Sequence, residues 1–139
     1  MDEAQAGTLF AAARIARLGT VDPAGHPHLV PITFALHGNV IVSAIDHKPK
    51  RSTNLKRLRN IAVNPRVSVL ADHYDEDWSL LWWIRCDGLA RVLHGPDRAE
   101  PITWLAAKYD QYAEHPPAGP VIWIEVSTWR SWTSAPPRR

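Results

Sequence analysis

Six stretches of the chain have the hydrophobic and polar pattern of strands, and turn-forming residues bound each stretch. Residues 14–21 and 121–132 alternate, whereas residues 40–45 are apolar enough for a mostly buried strand. Strict alternation places every second side chain on one face, which is typical of a strand with one buried side. Gly88 lies inside the fifth stretch and predicts a bulge or bend there. The pattern as a whole predicts six strands, at residues 14–21, 27–36, 40–45, 66–73, 80–93 and 121–132.

Short turns join the first three predicted strands, at residues 22–25 (Asp-Pro-Ala-Gly) and 37–39 (His-Gly-Asn). Such turns favour an antiparallel meander of three consecutive strands over a parallel Rossmann-type sheet. Helices are predicted at residues 3–13, 53–63 and 97–113. Together these elements predict a single domain, residues 1–139, of mainly β (α+β) class that forms a small closed or nearly closed barrel.

The predicted helix at residues 53–63 has apolar residues at helical spacing and basic residues outside that line. Leu55, Leu58 and Ala62 recur at helical spacing, and Ser52 or Thr53 is expected to cap the first turn. Lys56, Arg57 and Arg59 fall off this apolar line and are expected to stay away from the core.

Composition limits the setting of the protein. The 139 residues are 45% hydrophobic and 22% charged, with no apolar run as long as the roughly 18 residues of a membrane span. The first residues, Met-Asp-Glu, lack the basic start of a signal peptide. A single cysteine, Cys86, allows no internal disulfide and suits a reducing compartment. We therefore expect a cytoplasmic protein with no membrane partner.

Basic residues concentrate at positions 48–59, which hold six of the 16 Lys and Arg while the formal net charge is only +2. The block follows the third strand and enters a predicted helix N-terminus, where free backbone N–H groups favour phosphate. Ser52, Thr53 and Asn54 add neutral donors. The pattern predicts an anion-binding site.

Other kinds of site fit the sequence less well. A nucleic-acid interface would need basic residues along a groove with exposed aromatics, whereas acids crowd residues 72–77. A membrane surface would need a longer amphipathic helix. His26 and His28 have no zinc-type companions and are expected to be exposed, so no metal site is predicted. No nucleophile motif or glycine-rich phosphate loop occurs, so no catalytic residue is assigned.

The chain holds seven tryptophans, more than core packing alone explains. Trp82 and Trp83 are adjacent on one predicted strand and should face opposite ways, one into the barrel and one toward a partner or ligand. A meander barrel, an anion site and surplus tryptophan together suggest a flavin-like cofactor at a subunit interface.

Three segments in order resemble a known family. They are the hairpin at residues 16–31 (ARLGTVDPAGHPHLVP), the stretch from Lys48 through residues 64–68 (NPRVS), and residues 72–88. The chain is similar to the split-barrel flavin and deazaflavin proteins of the pyridoxamine 5'-phosphate oxidase type, over residues 8–133. Within them it is most similar to the actinobacterial group that uses coenzyme F420. The resemblance implies a six-stranded antiparallel split β-barrel with short helices.

The resemblance also implies a site and a quaternary structure. It implies a homodimer with cofactor sites across the interface, a ring lying against Val30, Pro31, Ile32 and Thr33, and Trp78 nearby. The phosphate and polyglutamate tail would meet basic and polar residues of the block: Lys48, Lys50, Arg51, Ser52, Asn54, Lys56 and Arg57. Six basic residues suit a long polyanionic tail better than the one phosphate of flavin mononucleotide (FMN).

The sequence thus favours an F420-dependent oxidoreductase, in which the cofactor carries a hydride to or from a small conjugated substrate. An FMN-dependent oxidoreductase and a non-catalytic carrier of F420 or a tetrapyrrole are the alternatives. Tyr74 and His73 are the candidates for a proton donor, and neither is assigned.

Overall fold

The structure is a computed structural model that describes residues 1–45 and 55–134. Its centre is one curled antiparallel sheet of seven strands in the order β2-β1-β5-β6-β7-β4-β3. The strands are β1 (Ala16–Val21), β2 (Pro27–Ile32), β3 (Ala35–His37), β4 (Val40–Ala44), β5 (Arg66–His73), β6 (Trp82–Leu93) and β7 (Val121–Thr133). The helices are α1 (Glu3–Ala12), α2 (Lys56–Val63), α3 (Ala99–Lys108) and α4 (Asp110–Glu114). None of the helices in the described ranges is long and apolar enough to cross a membrane.

The long antiparallel pair of β6 and β7 joins two half-sheets. The first half of β6 pairs with β5, from Trp82 to Leu89, while the first half of β7 pairs with β4, from Val121 to Glu125. The two half-sheets curl toward each other because β2 and β3, at opposite edges, are consecutive in the chain. The mainly β split barrel with short helices is therefore confirmed.

Two details of the predicted strands are wrong. The stretch 27–36 is not one strand, because Thr33 and Phe34 separate β2 from β3, which gives seven strands instead of six. The first three strands also do not form one meander. β4 pairs with β3 and with β7, on the far side of the sheet from β2.

Apolar side chains fill the inside of the barrel. Phe10 of α1 packs against Phe34 with ring centroids 4.8 Å apart, and both are fully buried. Trp129 of β7 meets Phe10 edge-on at 5.7 Å. A second apolar cluster lies on the outer face, where α3 covers β3 and β4. The uncovered outer face of β1, β5, β6 and β7 is the part of the sheet left without a helix among the described residues.

Two of the three predicted helices, at 53–63 and 97–113, differ from expectation. The helix at 53–63 begins only at Lys56 with Leu55 as N-cap, so the prediction of a Ser52 or Thr53 cap is wrong. Its buried residues are Asn60 and Ile61, whereas Ala62 is exposed. The helix at 97–113 is broken, because Tyr109 is extended (φ −118°, ψ 116°) between α3 and α4.

Gly88 marks the predicted bulge. The register shifts between Asp87 and Gly88, which pair with Thr128 and Val126 and leave Ser127 extra. A Cβ on Gly88 would lie 2.2 Å from the carbonyl oxygen of Glu125, which no rotamer change can relieve because the neighbour is backbone. The bulge therefore requires glycine at this position.

We predict that Gly88→Ala lowers the free energy of unfolding by about 2 kcal/mol or more, because two backbones would have to separate. The matched control is Gly7→Ala in α1, where a Cβ meets nothing within 4 Å. That change should raise stability by about 0.5 to 1 kcal/mol through helix propensity. Chemical denaturation of both variants gives the two values; equal stability of the two variants would contradict the assignment.

Candidate functional site

The strand predicted to face the cofactor ring, β2, lies at one edge of the sheet. Its side chains alternate. Val30 and Ile32 point into the barrel, with Ile32 6% exposed, while Pro31 is exposed on the outer side. Val30 and Ile32 are thus committed to the core, and what β2 offers a ligand is its main chain and Pro31.

The free edge of β2 is rich in acceptors. The Asp22 N–H donates to the His26 carbonyl oxygen at 3.0 Å, so residues 26, 28, 30 and 32 direct their backbone N–H and C=O groups toward β1. Residues 27, 29 and 31 therefore direct their backbone groups away from β1. Two of these residues, Pro27 and Pro31, have no N–H. The edge therefore presents carbonyl oxygens with one N–H donor, that of Leu29.

The end of β2 lies beside the end of β4. The Thr33 carbonyl oxygen accepts a hydrogen bond from Ser43 Oγ at 2.8 Å, and Ser43 is 3% exposed. This contact places the end of β4 next to Thr33, and the basic block follows β4 in the chain. Lys48, Lys50, Arg51, Ser52 and Asn54 lie outside the described residues and stay predictions.

The described part of the basic block is the first turn of α2. Lys56 is exposed, and its Nζ lies 3.4 Å from Asp22 Oδ2. Asp22 also accepts from the His26 and Ala24 backbone amides; the His26 bond is the main reason that its pKa falls to about 2. This carboxylate holds the β1–β2 turn in shape and ties it to α2.

Arg57 differs from its expected place, because it lies toward the barrel instead of off the apolar line. It is half-buried, and it shares a helix face with the buried Asn60 and Ile61. Burial lowers the pKa of its guanidinium. Its Nε atom is buried and has no hydrogen-bond partner among the described residues. A buried unsatisfied donor of this kind is costly and fits an anionic ligand.

His28 is a candidate that the sequence interpretation missed, since it was expected to be exposed. It is half-buried on the inner side of β2, and its Nδ1 is buried without a partner among residues 1–45 and 55–134. It pairs in register with Thr20, whose Oγ1 accepts from Asn60 Nδ2 at 3.0 Å. Its place in the alternation, two residues before Val30, was the available signal. Arg57 and His28 both leave polar atoms to satisfy where α2 crosses the β1–β2 hairpin.

Trp78 lies on the acidic loop between β5 and β6 and is 68% exposed. Its Nε1 lies 3.5 Å from the Tyr74 hydroxyl, and its carbonyl oxygen accepts from Ser134. These contacts join it to the β5–β6 connection and the end of β7, and none of them is to another predicted site residue. Its role toward the ring stays a prediction, as do the proton-donor candidates Tyr74 and His73.

The two adjacent tryptophans face opposite ways, as predicted. Trp82 packs against the barrel interior and stacks on His73, while Trp83 faces Trp132 in register on the outer side of the sheet.

The outer face also carries an open groove of about 480 Å³. It is lined by residues of β1, β2, β5, β6 and β7, including Gly19, Pro27, Ser68, Asp87, Leu89 and Thr128.

Comparison with known proteins identifies the family. The pyridoxamine 5'-phosphate oxidase family profile matches residues 2–133. The chain belongs to this family. A search of curated proteins finds no match.

Solved structures with the same fold come from several bacteria. A conserved hypothetical protein of Mycobacterium tuberculosis, Rv2991, is 21% identical with a TM-score of 0.79, over 96% of this chain and 86% of that one. An FAD-binding protein of Mesorhizobium loti is 17% identical with a TM-score of 0.70, over 94% of each chain. A heme-binding protein of Mycobacterium smegmatis is 19% identical with a TM-score of 0.69, over 94% of this chain and 57% of that one. At these identities the likeness concerns the fold.

Proposed function

We propose that this family member is a coenzyme F420-dependent oxidoreductase, working as a reductase on a small conjugated organic substrate. The observation that carries the proposal is the buried Nε of Arg57, which has no hydrogen-bond partner among the described residues and belongs to a segment with six basic residues, 48–59. The end of β4, which precedes that segment in the chain, is hydrogen-bonded to Thr33 at the end of β2. A ligand with a flat polar ring and a long anionic tail would satisfy both features.

The chain's residues would bind and orient this ligand. Carbonyl oxygens on the free edge of β2 suit the N–H of a pyrimidine-type ring edge, and the Leu29 N–H suits one of the flanking carbonyl groups. The tail would be held by basic and polar residues of the block: Lys48, Lys50, Arg51, Ser52, Asn54, Lys56 and Arg57. Trp78 would line the substrate side of the ring. The deazaflavin, when bound, supplies the hydride chemistry.

FMN is the second candidate, because flavins and deazaflavins share the same ring edge and the β2 main chain does not distinguish them. The FAD-binding protein of Mesorhizobium loti with this fold supports a flavin-type cofactor. A third candidate is a non-catalytic carrier of F420 or a tetrapyrrole, and the heme-binding protein of Mycobacterium smegmatis with this fold supports it. The excess of basic residues over the need of one phosphate favours F420.

We further propose that the chain forms a homodimer through the uncovered outer face of the sheet. That face exposes Leu29 (72%), Leu89 (53%) and Trp132 (45%). Arg85 and Arg130 lie directly opposite each other, and the nearby carboxylate of Asp87, whose pKa both arginines lower, offsets part of this pairing of like charges. Arg85 is paired with Asp87, whereas the hydrogen bond of Arg130 is to the neighbouring Trp129 carbonyl. Exposed tryptophan and arginine are typical of interfaces.

Titration of the protein with F420 and FMN side by side, followed by tryptophan fluorescence, tests the cofactor. We predict tighter binding of F420. Arg57→Met should weaken that binding about tenfold or more, since a partly buried charge-assisted contact is lost. Arg59→Met removes the same charge from an exposed position on the same helix and should change binding about twofold or less. Binding of neither cofactor would contradict the proposed function, and tighter FMN binding would favour the second candidate.

Sedimentation velocity tests the dimer. Leu89→Arg would place a charge in the centre of the proposed interface and should convert the dimer to a monomer. The control is Val63→Arg, at an exposed apolar position (64%) on α2 away from that face. Circular dichroism confirms that both variants fold. A wild-type chain that sediments as a monomer, or a dimer unaffected by Leu89→Arg, would contradict the proposed interface.

A further inference from the structure

The junction between β2 and β3 is held by side chains instead of by a strand partner. The Thr33 Oγ1 lies 2.8 Å from the Tyr112 hydroxyl. The Phe34 N–H donates to the Tyr109 hydroxyl at 3.1 Å, and that hydroxyl donates to the Arg14 carbonyl oxygen at 2.9 Å. With the Ser43 bond to the Thr33 carbonyl, three hydroxyl groups from distant elements meet one dipeptide.

The break between α3 and α4 is what aims the two tyrosines. Tyr109 is the extended residue at the break and Tyr112 lies in α4, with ring centroids 5.6 Å apart at 72°. Lys108, the last residue of α3, adds a contact, since its Nζ lies 3.7 Å from the Phe34 ring centroid and donates to the Ala13 carbonyl oxygen. A continuous helix over 97–113 would not leave Tyr109 extended in this position.

These bonds also engage the hydroxyl and the carbonyl oxygen of Thr33. Its hydroxyl is taken by Tyr112 and its carbonyl oxygen by Ser43, so its side chain is turned to the protein body. Thr33 is therefore suited to fixing the end of β2, and less to contacting a ligand through its hydroxyl. The main chain of residues 29–32 takes its direction from that fixed end.

We propose that Tyr112, acting through Thr33, is a positioning residue that orients the free edge of β2 toward the cofactor ring, with Tyr109 holding the following peptide. This inference rests on the proposed function, because it assigns a cause to the placement of the ring-holding strand. It concerns the ring and not the anionic tail. The two parts of the ligand can therefore be tested separately.

The test measures dissociation constants of Tyr112→Phe for F420, FMN, riboflavin and the tail-free deazaflavin chromophore. Loss of one hydrogen bond that positions the ring should weaken tail-free and complete chromophores alike, by about fivefold. The absorption band of the bound chromophore should also shift, which a general loss of stability would not cause. Thr103→Val is the control, since it removes an exposed hydroxyl from α3 that bonds only within the helix.

A double-mutant cycle with Thr33→Val separates direct from indirect action. If Tyr112 acts through Thr33, adding Tyr112→Phe to Thr33→Val causes no further weakening. If Tyr112→Phe does not fold, Thr33→Val removes the same bond from the other side and carries the same expectations. If the wild-type protein binds the chromophores and the variant binds them with unchanged affinity and an unchanged spectrum, this inference alone is overturned. A wild type that binds none of the four chromophores would overturn the proposed function, and this inference with it.

Discussion

The direct passage of the chain from β2 to β3 is the constraint on which the rest of the structure depends. The two strands form opposite edges of one sheet, and only Thr33 and Phe34 separate them. Phe34 is fully buried against Phe10, so the crossing is fastened inside the barrel. The chain itself, and not a continuous ladder of hydrogen bonds, thereby draws the two edges together. This leaves the β2 edge unpaired among the described strands, yet rigidly placed.

Side chains fill the barrel interior, which leaves the sheet edges and the outer face to bind a ligand or a partner. Apolar residues from α1 and the strands pack the inside, so the polar atoms that remain unsatisfied gain significance. The Arg57 Nε and His28 Nδ1 are two atoms without a partner in the described part of the chain, both where α2 crosses the first hairpin. An exposed sheet face with tryptophan and arginine lies on the other side. The division suits a protein that holds an anionic cofactor at one sheet edge and a second copy against the outer face.

Alternation of side chains was sufficient to predict the strands and the mainly β class, because each strand has one buried side. It could not reveal the split at Thr33, since residues 27–36 contain no turn pair such as Asn-Gly or Asp-Gly, nor the pairing of β4 with β7, about eighty residues away in the chain. The inward turn of Arg57 follows from the buried face of α2, which Asn60 and Ile61 form, whereas the spacing of Leu55, Leu58 and Ala62 predicted a different face. The tyrosine pair was hidden for a similar reason. Tyr109 fits a regular helical repeat in sequence, and only the packed structure shows that it leaves the helix to reach Phe34.

We propose that the free edge of β2 holds the ring of a flavin-type cofactor. Backbone amide NMR shifts recorded while F420 is added test it most directly, because Leu29 carries the N–H donor of that edge. We expect the largest shift changes at Leu29 and its β2 neighbours and in the first turn of α2. Changes centred instead on the outer groove, around Ser68, Asp87 and Thr128, with β2 unaffected, would contradict it.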